Sequence, residues 1–257
     1  MTYHVGLTTG TGGVEACVFD LPGCRTVAPD RQAVLALVPV AIAEHLSWLC
    51  GHGEVVRDDS PFKLEVTEEV DVTTLLDVAD GEFVFQDDLR PVTEEEMGSA
   101  VRRMGFARQD LLKLVGPLPE PVLDWHLPPT AAVRVDDWAP EVRSIRGIVE
   151  HIANADGYYA ANVGDTPWPR MGDAERADLL GQRQRAIDRL RALTAEERSQ
   201  LFQRRQPWQK EGHEHWTVRK ALRRFVEHER FHTREIEQRL AWLLLGVPQT
   251  AAPEVRA

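Results

Sequence analysis

From Thr217 to Leu245 the chain runs for 29 residues without proline or glycine. Its apolar residues Val218, Leu222, Phe225, Ile236, Leu240 and Leu243 recur at helical spacing. This predicts one long helix. His228 and His232, four residues apart, project from the same side of it, and that side is continuous with Phe225 and Ile236 rather than with the Arg and Glu face. Two imidazoles are therefore directed at a core. An unpaired polar ring in an apolar interior is costly, so each needs a hydrogen-bond partner or a shared cation. A zinc-type site that keeps an open position wants three protein ligands, so the fold must bring a third inward ligand to this pair.

The 257 residues suffice for two domains, and 43% hydrophobic content is ordinary for a soluble globular chain. No stretch reads as a membrane span and Met1 to Val5 opens no signal peptide, so the cytoplasm is expected and a membrane is not. Cys17, Cys24 and Cys50 form no CxxC pair and leave an odd count, which predicts reduced thiols, with Cys50 packed. The net charge of −11 is concentrated at the front: residues 1 to 90 hold 5 Lys/Arg against 16 Asp/Glu, and the remainder balances at 25 of each. The acidic first unit disfavours nucleic acid, and it suits solubility alone or a basic protein partner.

Residues 3 to 9 and 14 to 20 read as strands joined by the glycine-rich turn Thr9 to Gly13, with Cys24 to Val27 as a third. Asp30 caps a helix that runs to Gly51-His52-Gly53, with a kink or break predicted at Pro39. Phe62 to Val66 alternates as a half-buried strand does. The order is β-β-β-α-β, an α+β unit. Asp20-Leu21-Pro22-Gly23-Cys24, Ala41-Ile42-Ala43 with His45-Leu46, and Gly53-Glu54 resemble the HicB-type antitoxin domain. The resemblance covers about the first 80 residues and implies a small fold of partial RNase H type, without Asp20 or Asp30 as catalytic groups.

Asp80 to Pro91 is acidic and turn-rich and reads as a connector. Thr93 and Glu96 form a capping box for a helix with Met97, Val101, Met104, Leu111 and Val115 on one stripe, stopping at Gly116-Pro117. A proline-rich irregular piece follows, with Trp125 and Trp138 as packing anchors. Pro140 opens a helix through Ile145, Ile148, Ile152 and Tyr159. Asp173 caps another through Leu179, Ile187 and Leu190, Thr194 and Glu197 box a short one, and Gln203 to His215 is a loop. Four amphipathic helices predict an all-α four-helix bundle. The expected division is 1–80, a linker 81–93, the bundle 94–246 and a tail 247–257.

His151, three residues after Ile148 and four before Ala155, is the third inward histidine. One imidazole from one helix and two from another can hold a divalent ion and leave positions open. Neutral imidazoles suit zinc, nickel, iron or copper. Trp138 before Glu150-His151-Ile152, and Trp216-Thr217-Val218-Arg219 leading to His228-Glu229 and His232 with Ile236 beyond, resemble the DinB-like metalloprotein superfamily. It includes metal-dependent thiol S-transferases using bacillithiol or mycothiol, and maleylpyruvate isomerase-type enzymes. The resemblance implies His151, His228 and His232 as ligands of a divalent transition metal such as zinc or nickel. It further implies a low-molecular-weight thiol and an electrophile as substrates, and a possible homodimer. The catalytic groups are not identified. Tyr158, Tyr159 and Trp168 are candidates to line a substrate pocket, or to pack. Glu150 and Glu229 are neighbours of ligands in sequence, but a step of about 100° along the helix turns them away, so they are expected at the surface. His213 and His215 read as exposed imidazoles. The alternative to an enzyme is a metal-binding or protein-interaction module whose acidic front unit holds the basic partner.

Overall fold

A computed structural model describes residues 1–56, 61–75, 83–126, 144–206 and 213–246. The N-terminal part is α+β. Strands β1 (Thr2–Thr11), β2 (Gly13–Val18) and β3 (Arg25–Ala28) form an antiparallel meander, and helix α1 (Arg31–Gly51) crosses over to β4 (Lys63–Leu75), which pairs parallel to β1. The sheet order is β3-β2-β1-β4, so β4 is an edge. Gly10 faces Gly13 across the first turn, where Gly12 and Gly13 take φ of 109° and 139°, a region that L side chains avoid. Asp30 caps α1 by accepting from Ala33 N at 2.8 Å. Val34, Val38, Ile42, His45 and Leu49 form its buried stripe, spaced as helical geometry requires to cover β2 and β3.

Two expectations about α1 are corrected. Pro39 lies on its exposed side and does not break the helix. With a mean hydropathy of 1.8 over its most apolar stretch, α1 is also long and apolar enough by composition to cross a membrane. A run with one buried and one partly exposed apolar side hides its hydropathy when it is read only for helix periodicity.

Residues 83–93 are not a solvated connector. Phe85 and Asp88 are each 1% exposed. Glu68 on β4 accepts from the backbone N–H groups of Gln86 and Asp87, and a 3-10 turn follows at Asp87–Leu89. The segment's acidity is consumed internally, Asp88 by Arg223 at 3.1 Å.

The C-terminal part is helical. Its long helices are α2 (Glu94–Val115), α4 (Ile145–Ala161), α6 (Leu179–Ala192) and α7 (Val218–Leu244); short α3 (Glu120–Leu123) and α5 (Asp173–Ala177) lie between them. The capping box at α2 is present, with Thr93 N donating to Glu96 Oε2 at 2.8 Å and Glu96 N to Thr93 Oγ1 at 3.2 Å. Ser144, rather than Pro140, caps α4 by accepting from Gly147 N at 2.9 Å; Pro140 and Trp138 lie outside the described residues. The helix expected from Asp173 is interrupted at Asp178, which leaves helical geometry and caps α6 through Gly181 N at 3.0 Å. The polar stretch expected as a loop contributes a hairpin, β5 (Phe202–Arg204) against β6 (Glu214–Trp216), because Phe202 and Trp216 are buried opposite each other.

Helix α7 organises the molecule. α2 and α4 pack on it, and α6 packs on α4 and α2. One apolar cluster gathers Tyr159, Leu190, Phe202, Trp216 and Phe225, and another gathers Leu111, Ile145, Ile148, Ile152 and Ile236. Across α7 lies the N-terminal part. Gly23, at φ +91°, brings its turn so close to Val226 that a Cβ there would meet the valine at 2.5 Å. Arg234 pairs with Glu44 and Arg230 Nη1 donates to His45 Nδ1 at 2.6 Å, both toward α1.

Candidate metal centre

The helix registers of α4 and α7 bring His151, His228 and His232 together between the two apolar clusters. His232 is buried and the other two are half-buried. One ligand nitrogen from each falls within 4.8 Å of the others, and His151 Nε2 faces His228 Nε2 at 3.0 Å. Nitrogens at about 2.0–2.1 Å from one tetrahedral zinc stand roughly 3.3 Å apart, so the group fits a single ion after small side-chain adjustments.

The electrostatics agree with ligation. Burial, reinforced by the neighbouring His232, pushes the pKa of His151 down to about 3. Burial together with His232 and His151 holds His228 well below the ordinary imidazole value. Both rings are thus neutral at neutral pH and keep the lone pair that a metal needs. Two neutral Nε2 atoms face to face share at most one proton, whereas a cation satisfies both lone pairs.

Glu235 completes the surroundings. Its Oε2 lies 2.8 Å from His232 Nδ1, and its Oε1 accepts from Arg239 Nη2 at 2.5 Å. Burial opposes the charge on Glu235, but the His232 hydrogen bond and Arg239 outweigh it and hold the carboxyl below its ordinary value. A carboxylate on Nδ1 fixes the ring and its tautomer and leaves Nε2 for a cation. Glu235 is not among the residues expected from sequence; its position three residues after His232 on one helix is the signal that points to it.

Glu229 is not at the surface; it is 1% exposed. The rotation of about 100° from His228 turns it toward α2 and α6 instead of solvent, because α7 is surrounded. There Arg108 Nε donates to Glu229 at 2.5 Å and to Asp156 through Nη2 at 2.8 Å, while Arg183 holds the same two carboxylates. This quartet takes one residue from each of α2, α4, α6 and α7 and its formal charges cancel. Glu150 is half-buried and stands outside the triad.

Of the aromatic candidates, Tyr159 is 4% exposed and its ring centroid lies 5.6 Å from that of His228. Tyr158 donates to Glu214 at 2.6 Å, and Trp168 packs against the apolar cluster beside Gly157. Tyr159 thus has a ring contact with a triad imidazole. His213 is exposed and His215 half-buried in β6.

A second group, Glu15, Cys17 and Glu227, is equally compact. Its carboxylates are already bound, Glu15 by Arg25 and Glu227 by Arg223 and Arg224. Burial, then Glu227 and Glu15, push the Cys17 thiol well up, which keeps it protonated. This is an ionic junction between β2, β3 and α7. Cys50, expected to pack, is exposed.

The family model described as the DinB superfamily matches residues 103–236, about half of the chain. The chain belongs to the DinB superfamily. The match runs from α2 to Ile236 and includes His151, His228 and His232; the α+β part precedes it. No curated protein and no solved structure matches the chain. DinB membership and the triad agree on a metal-binding character.

Proposed function

We propose that this DinB protein is a divalent-metal-dependent enzyme that transfers a low-molecular-weight thiol, of the bacillithiol or mycothiol type, to an electrophilic substrate. The observation that carries the metal is the convergence of His151, His228 and His232, two of them held neutral. His151, His228 and His232 would hold a zinc or nickel ion, which would supply the Lewis acidity that lowers the pKa of a thiol. The chain's own groups do the positioning. Glu235 and Arg239 orient His232, the Arg108–Asp156–Arg183–Glu229 quartet fixes α4 against α7, and the Tyr159 ring shields His228. Metal analysis of the purified protein tests the first step. Wild type should hold about one divalent ion per chain and His228→Ala far less. Thiol-dependent consumption of an electrophile such as 1-chloro-2,4-dinitrobenzene should require that ion. Equal turnover by stripped and loaded protein removes the enzyme reading and leaves the metal reading standing.

The N-terminal part supports a second reading, a HicB-like module that holds a basic protein. Edge strand β4 exposes Glu65, Glu69 and Asp71 on one side, and charge on an edge both discourages self-pairing and attracts cations. Titration with a lysine-rich peptide should give binding that Glu65→Lys with Asp71→Lys abolishes. Unchanged binding by the double variant defeats this reading.

A further inference from the structure

On the side of α7 away from the triad, α1, α2 and α7 enclose an open groove of about 920 Å³. Arg230 lies two residues from both His228 and His232, so it points about 200° around the helix from either. The groove is thus separate from the metal centre. Half of its charged walls are committed. Arg234 pairs with Glu44 at 2.8 Å, and Asp110 accepts from Trp48 Nε1 at 2.7 Å and faces His52 Nε2 at 3.0 Å.

Of the other lining charges, Lys113 and Glu237 are exposed and Arg230 is not. It is half-buried, its guanidinium lies 4.1 Å from the centroid of the Trp48 ring, and its hydrogen bond goes to the His45 imidazole at 2.6 Å. It makes no ion pair among the described residues. Other buried guanidiniums here do: Arg25, Arg108, Arg183, Arg223, Arg224 and Arg239 each hold a carboxylate. Asp110 and Glu44 act on Arg230 without a direct ion pair; taking a guanidinium out of water without one is costly, and its planar fork matches a carboxylate.

We propose that this groove binds a small monocarboxylate with an apolar body, the carboxylate on Arg230 and the body against Trp48, Leu114 and Ala43. The volume suits a metabolite-sized ligand. Glu44, Asp110 and Glu237 line the same space and Lys113, Arg230 and Arg234 balance them, so the groove has no surplus of positive charge to hold a dianion. One half-buried guanidinium outside any ion pair matches a monocarboxylate better than a phosphate dianion.

Ligand-observed NMR titration of the full chain with sodium phenylacetate, its neutral analogue phenylacetamide and inorganic phosphate tests the assignment. Phenylacetate should bind about 10-fold or more tightly than the amide, the worth of a hydrogen bond to a charged group. Arg230→Gln should erase that preference. Ala43→Trp, at an exposed wall position, fills the groove without touching the buried charges and should abolish binding of both. It keeps the test decisive if Arg230→Gln does not fold. No binding to wild type, equal binding of acid and amide, phosphate as the better ligand, or undiminished binding by either folded variant overturns the proposal.

Discussion

His232 Nδ1 and Glu235 Oε2 stand 2.8 Å apart, one turn along α7, with Arg239 another turn on holding the other carboxylate oxygen. The three form a ladder on a single helix, so the orientation of His232 is set by contacts within α7. Glu235→Ala removes the acceptor on Nδ1 and frees the ring to rotate and change tautomer. Metal affinity, measured by competition with a chromogenic chelator, should fall about 10- to 100-fold. An unchanged affinity would mean that the carboxylate is there only for Arg239.

The imidazole environments set a pH dependence for the metal-free protein. His45, His151 and His228 are all held below the ordinary imidazole value, first by burial; His151 reaches about 3. In the unfolded chain these rings take up protons near pH ~6.5, while the folded rings do not. The unfolded state therefore binds more protons as pH falls below that value, and stability drops from there toward the folded pKa values. Each ring contributes up to about 1.4 kcal/mol per pH unit in that window. The urea midpoint should be lower at about pH 5.5 than at about pH 7.5, and zinc should widen the gap because protons displace it. A flat profile would place the rings in water.

Legibility followed from how local each signal is. The capping box at Thr93 and Glu96, each strand and helix of the β-β-β-α-β order and the shared side of His228 and His232 each rest on spacing within one element, and each was readable. Glu229 was not, because its burial depends on α2 and α6 closing over α7, a tertiary fact that one-helix geometry cannot supply. The same holds for Asp88. An acidic, turn-rich stretch looks solvated until Arg223 from 135 residues away is placed beside it. Helix α1 misled in the other direction: its buried His45 and exposed Leu37 and Val40 blur the two sides that periodicity would separate.

The quartet of Arg108, Asp156, Arg183 and Glu229 is buried and its charges balance, so its parts are not interchangeable. Asp156→Ala leaves two guanidiniums on one carboxylate in the interior and should cost about 3–5 kcal/mol. Asp156→Leu combined with Arg183→Met removes one charge of each sign and should cost less than either single change. Chemical unfolding of Asp156→Ala, of each single change and of the double variant checks this. Additive losses would show that the groups act as independent pairs.

Gly23 and Gly53 separate backbone strain from domain contact. Both have positive φ, +91° and +81°, but a Cβ at Gly23 would lie 2.5 Å from Val226 whereas one at Gly53 meets nothing within 4 Å. Gly53→Ala pays only for left-handed backbone, about 1–2 kcal/mol. Gly23→Ala pays the same and also pushes the Leu21–Gly23 turn off α7, adding an overpacking cost of about 1–3 kcal/mol. The added loss comes from contact between the two parts, so trimming Val226 should relieve it. Gly23→Ala with Val226→Ala should recover part of the loss relative to the sum of the single changes, as a double-mutant cycle measures it. If the two changes simply add, the turn does not press on α7 in solution.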